Sequence, residues 1–89
     1  MKSPDAICRE YAKKRVQIKS SKMKDGSILI EGRAQALEFV GKLFLAQAKF
    51  KKDCGFQLSP SGAGSGRFKK GSKVGFYIHR LPCLNKNNK

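Results

Sequence analysis

The sequence predicts an α+β fold in two layers. Two hairpins form one antiparallel four-stranded sheet, one long helix packs across a face of it, and a short helix precedes them. Three observations predict this. Apolar residues recur at helical spacing over residues 33–52. Asp25-Gly26 stands between two stretches of partial apolar–polar alternation. A further alternating stretch runs from Ser72 to Arg80, after a short apolar segment at Gly55–Leu58. The order α-β-β-α-β-β then has a simple two-layer solution.

Each element has a local reason. Residues 3–15 read as a short helix. Ser3 can cap it, Pro4 suits its first position, and Asp5 meets the positive end of its dipole. Ile7, Cys8, Tyr11 and Ala12 make a narrow apolar stripe, and Lys13, Lys14 and Arg15 fall in the last turn. Residues 16–31 read as the first hairpin. Val16 and Ile18 share one face, Ile28 and Ile30 share theirs, and Asp25-Gly26 is expected to make a type I′ turn with both residues at positive φ.

The main helix, 33–52, is expected to bury Leu37, Val40, Gly41, Phe44 and Ala48, widened by Ala34, Ala36 and Leu43. Gly41 costs helix propensity, and a close approach to the sheet is the expected reason for it. Residues 54–81 read as the second hairpin. Val74, Phe76 and Ile78 share one face of its long strand, with Lys73, Gly75, Tyr77 and His79 on the other. The connecting segment 59–71 is rich in Gly and Ser and is expected to be mobile. The second sheet face is expected to stay partly open to water or to a partner.

At 89 residues the chain fits a single small domain, assigned to residues 1–84, with Asn85–Lys89 as a disordered polar tail. No apolar run approaches the roughly 20 residues that span a bilayer. Met1-Lys2-Ser3-Pro4-Asp5 has no apolar segment behind it, so no secretory signal is expected. Cys8, Cys54 and Cys83 are odd in number and make no CxxC pair. A disulfide framework is therefore not expected, and a cytoplasmic location is the default.

The charge selects the class of partner. Twenty Lys+Arg against six Asp+Glu give a net charge of +14, which attracts polyanions. The cations concentrate in Lys13–Lys24, Lys49–Lys52 and Arg67–Lys73. Gly62-Ala63-Gly64-Ser65-Gly66 is no phosphate loop. Arg67 stands where G-x-G-x-x-G needs Gly, and Ser72 stands where the Walker form needs Lys.

As a basic finger the same loop is more informative. Arg67, Lys69, Lys70 and Lys73 can neutralise phosphates, and Phe68 among them can stack on an unpaired base. The competing reading has Phe68 folding back onto the core. Tyr77 and His79 share a strand face with Lys73 and complete a candidate anion- or nucleic-acid-binding set, although the ordered aromatics of an RNP motif are absent.

Catalysis has no constellation to carry it. His79 is the only histidine, and no metal-ligand spacing is present. Cys54 or Cys83 meets His79 only if the tertiary fold brings them together. The sequence thus predicts no catalytic residue, no metal, no cofactor, no small-molecule substrate and no membrane partner.

Ile30-Glu31-Gly32, the Leu/Ala pattern from Leu37 to Ala48, Gly55-Phe56-Gln57-Leu58, Gly71-Ser72 and Ile78-His79-Arg80 together resemble a family pattern. The stretch from Ile28 to Leu81 is similar to the small bacterial immunity proteins grouped as immunity protein thirty-two. The resemblance implies a compact non-enzymatic α+β protein that binds and neutralises a toxin. It carries over no binding residue. Two expectations therefore stand side by side: a basic module that contacts nucleic acid, and an immunity-type module that contacts an acidic protein.

Overall fold

The computed structural model describes residues 2–83. Helix α1 (Pro4–Lys13) starts as its sequence dictates: the Ser3 hydroxyl accepts the Ala6 N–H at 3.2 Å, with Pro4 and Asp5 in the first turn. Strands β1 (Lys19–Lys22) and β2 (Ile28–Glu31) pair antiparallel, with Ser20 opposite Ile30. Helix α2 (Ala34–Lys49) follows, then β3 (Gly55–Leu58), a 3-10 turn at Ser65–Arg67, and β4 (Phe76–His79). β3 and β4 pair antiparallel, with Gly55 opposite His79. The expected tail, 85–89, lies outside the described residues.

The α+β class holds, but the single four-stranded sheet does not. The strands form two separate two-stranded sheets. The physical reason lies in residues 67–74, which were expected to be loop and strand. They run along β1 and take up its free hydrogen-bonding edge. The Ile18 N–H donates to the Arg67 carbonyl (2.9 Å), the Lys69 N–H to the Ile18 carbonyl (2.7 Å), and the Lys73 N–H to the Ser20 carbonyl (2.8 Å). The buried Ser20 hydroxyl donates to the Val74 carbonyl. The last part of the segment expected to be mobile, residues 67–71, thus belongs to a strap that ties the two hairpins together. β4 starts only at Phe76, and it keeps the expected alternation, with Phe76 and Ile78 inward and Tyr77 and His79 outward.

Two glycines serve geometry here. Gly26, at φ +92°, is the only residue of the first hairpin turn with positive φ. The Gly26 N–H donates to the Met23 carbonyl and the Asp25 carboxylate accepts the Ser27 N–H. The turn is therefore a three-residue loop closed by a left-handed glycine, not the expected type I′ turn. Gly75 lies against β3: a Cβ there would sit 2.5 Å from the Leu58 carbonyl oxygen and 2.8 Å from the Ser59 Cα.

The core gathers Ile7, Tyr11, Val16, Ile18, Ala36, Phe39, Leu43, Ala46, Leu58 and Phe68. Tyr11 and Phe39 are fully buried, with ring centroids 5.2 Å apart. This pair sets the inward face of α2, and it differs from the expected one. Ala36, Phe39, Leu43, Ala46 and Gln47 face inward, while Leu37 and Phe44 stay about half exposed. Gly41 is exposed too, and a Cβ there would meet nothing within 4 Å, so no close approach to a sheet explains it.

The cysteine expectation is also corrected. Cys54 and Cys83 form a disulfide across 29 residues of sequence. Folding of the second hairpin brings these distant positions together, which spacing alone does not reveal.

Candidate functional site

The residues expected to bind anions separate into three groups. Arg67 and Phe68 belong to the scaffold. The Arg67 guanidinium donates to the Tyr11 carbonyl at 3.2 Å and to the Val16 carbonyl, at the negative end of α1. Phe68 is buried and meets Phe76 edge-on at 6.4 Å, so it folds onto the core. Lys69, Lys70 and Lys73 are exposed on the strap. Tyr77 and His79 are exposed on β4, with ring centroids 6.2 Å apart.

Lys69 enters a cleft of about 200 Å³ whose other walls come from elsewhere in the chain. Lys14, Arg15, Val16 and Gln17 line one side, and Arg33, Gln35 and Ala36 the other. Four cations converge there, and no carboxylate lines the cleft among the described residues. Lys14 is partly compensated, since Glu10 accepts from it at 3.4 Å while also pairing with Lys2 at 2.6 Å. The hydrogen bond from Lys2 first, then that from Lys14, holds the partly buried Glu10 carboxyl below its ordinary range. Arg15, Arg33 and Lys69 make no ion pair among the described residues.

Local structure explains how the cleft is built. Helix α1 ends in a Schellman motif: the Arg15 N–H donates to the Ala12 carbonyl and the Val16 N–H to the Tyr11 carbonyl, both at 3.0 Å. Arg15 occupies the left-handed position of that motif at φ +59°, where glycine is the usual residue. Its side chain is thereby turned into solvent beside the cleft. Across the cleft, α2 begins at Arg33 with no side-chain cap and no acidic residue in its first turn. The positive end of its dipole adds to the same potential. The Lys19 ammonium reaches the turn at Gly71 and extends the basic surface along the strap.

Sequence reasoning missed Lys14, Arg15 and Arg33 as members of this set. Arg33 stands outside every basic cluster of the sequence. It joins the others only because the chain enters α2 beside the end of α1.

The thiols fall into two environments. Cys8 is free and half-buried, and burial first, then Asp5, pushes its thiol up to about 11. Cys54, Cys83 and His79 lie together, with their ligand atoms all within 4.8 Å of one another. The tertiary contact that the sequence left to chance is present. Comparison with family models, with curated proteins and with solved structures gives no match.

Proposed function

We propose that this chain is a small non-enzymatic binding module that holds the phosphate backbone of a nucleic acid against the cleft between the end of α1 and the start of α2. One observation carries the reading: Lys14, Arg15, Arg33 and Lys69 converge on one concavity with no lining carboxylate among the described residues. A phosphate chain entering it releases its condensed counterions, which is the main source of affinity in such contacts. Lys19, Lys70 and Lys73 continue the basic surface and suit an extended polyanion better than a single small anion.

The test is fluorescence anisotropy with single- and double-stranded DNA and RNA across a NaCl series. Four neutralised phosphates give a log–log slope of about −3 for a single strand. Replacing Arg33 and Lys69 together with Ala should make the slope shallower by about 1.4, at roughly 0.7 per phosphate. Absence of binding at low salt, or an unchanged slope in the double variant, removes the reading.

A second reading, an immunity-type module for an acidic protein, is favoured by the exposed side of α2. Leu37, Phe44 and Leu45 are 49%, 51% and 61% exposed, an apolar surface that a phosphate backbone has no use for. A partner retained in the presence of excess polyanion would favour it.

A further inference from the structure

The second hairpin carries a cluster that the polyanion reading does not use. Cys54 precedes β3, His79 closes β4, and the pairing of Gly55 with His79 sets the imidazole beside the Cys54 position. The Arg80 N–H donates to the Cys54 carbonyl at 2.7 Å and fixes that end of the hairpin. Its guanidinium donates to the Phe50 and Asp53 carbonyls at 3.1 and 3.2 Å, which ties down the chain leading into Cys54. Cys83 then returns to Cys54. Two sulfurs and one imidazole nitrogen thus lie within 4.8 Å of one another. Cys54 is buried, Cys83 is half-buried and His79 is exposed, so the group has a closed base and one side open to water.

We propose that Cys54, Cys83 and His79 form a redox-gated zinc site. As a disulfide the two cysteines clamp the hairpin. As two thiolates, with the His79 imidazole, they take one Zn²⁺ and leave water in the fourth position.

Zn–S bonds of about 2.3 Å and a Zn–N bond of about 2.0 Å in a tetrahedron put ligand atoms roughly 3.3–3.8 Å apart. The His79 ligand atom lies within 4.8 Å of both sulfurs, so a side-chain adjustment of about 1 Å brings it to that spacing. The two sulfurs part to that spacing once the bond between them is reduced. Cys83 lies beyond the last strand, so the β3–β4 ladder stays in place when the sulfurs part.

The step balances. Two thiols of a glutathione-type reductant give two electrons and two protons to the S–S bond, leaving their own disulfide and two protein thiols. Zn²⁺ then displaces the two thiol protons to the buffer. A chain of net charge +14 with six carboxylates offers a divalent cation little unspecific attraction, so uptake has to come from specific ligands.

The experiment titrates the full chain with Co²⁺ and then Zn²⁺, in the phosphine-reduced and the oxidised state. The reduced chain is expected to take one equivalent of Co²⁺ with thiolate-to-cobalt charge-transfer absorption and tetrahedral ligand-field bands, both removed by one equivalent of Zn²⁺. The oxidised chain is expected to show neither. Cys8→Ser should leave the titration unchanged. His79→Ala keeps both cysteines, so its disulfide form folds regardless of the metal. Its reduced form should bind at least about 10-fold more weakly, the lower end of what losing even an outer-shell partner costs. No charge-transfer band in the reduced wild type, or the same affinity in His79→Ala, overturns the proposal.

Discussion

At the scale of single residues, two neighbouring cations on the strap have opposite duties. Arg67 gives its guanidinium to the carbonyls of Tyr11 and Val16, and Lys69 gives its charge to the cleft. Their residue types do not distinguish them. The difference arises because Arg67 ends the 3-10 turn that packs against α1, whereas Lys69 lies beyond that turn on the exposed strap. Arg67→Ala should therefore lower stability by about 1.5–3 kcal/mol, the range for hydrogen bonds to a charged group, and leave anion affinity of the folded protein intact. Lys69→Ala should do the reverse. Arg15 makes the sharpest case. It holds a left-handed backbone at a position suited to glycine, at a cost of about 1–2 kcal/mol, and it lines the cleft. Arg15→Gly should gain roughly 1 kcal/mol in urea denaturation while weakening nucleic-acid binding and flattening its salt slope. A variant that gains stability with unchanged binding would place Arg15 outside the interface.

At the scale of elements, the order of helices and hairpins was legible, while the bounds of β1 and β4, the way the hairpins join and the buried face of α2 were not. The Ser3-Pro4-Asp5 start of α1 and the alternation of β4 are local signals, and both appear as read. The inward face of α2 is not a local property. Its apolar residues occupy most of the helix circumference, so the spacing admits two faces. Tyr11, buried from α1 and donating to the Glu38 carboxylate at 3.0 Å, selects the one that contains Phe39. The other face, with Leu37, Gly41 and Phe44, is left outside. There Phe44 stacks only at its margin, on Phe76, with centroids 6.5 Å apart. Because a Cβ at Gly41 meets nothing, Gly41→Ala should stabilise the isolated chain by about 1 kcal/mol. Chemical denaturation checks this. A loss of stability instead would mean that α2 packs more tightly at Gly41 than its open surroundings allow.

At the scale of the whole molecule, the charge was legible as a quantity and as clusters, but not as a site. Two of the three basic segments meet at the cleft, and Arg33 joins them through the path of the chain. The disulfide was hidden for the same reason, since a contact across 29 residues has no signature in local spacing. The surplus charge also bears on folding. Among the described residues only Glu10 forms ion pairs, so most of the +14 is uncompensated at short range. The folded chain has a radius of gyration of 13.3 Å, against roughly 30 Å for an unfolded chain of this length. Repulsion therefore weighs more on the folded state. The Debye length falls from about 30 Å at 0.01 M salt to about 8 Å at 0.15 M, and so passes through the dimensions of the molecule. Raising NaCl over that range should raise the melting temperature. Exchanging chloride for phosphate at constant ionic strength separates screening from binding. A cleft that holds phosphate at ten times its Kd adds about 1.4 kcal/mol, which is roughly 5–10 °C for a domain of this size. The increment should vanish when Arg33 and Lys69 are both Ala, while the response to NaCl stays. An equal phosphate increment in that double variant would trace the effect to exclusion of the anion from the whole surface, and not to the cleft.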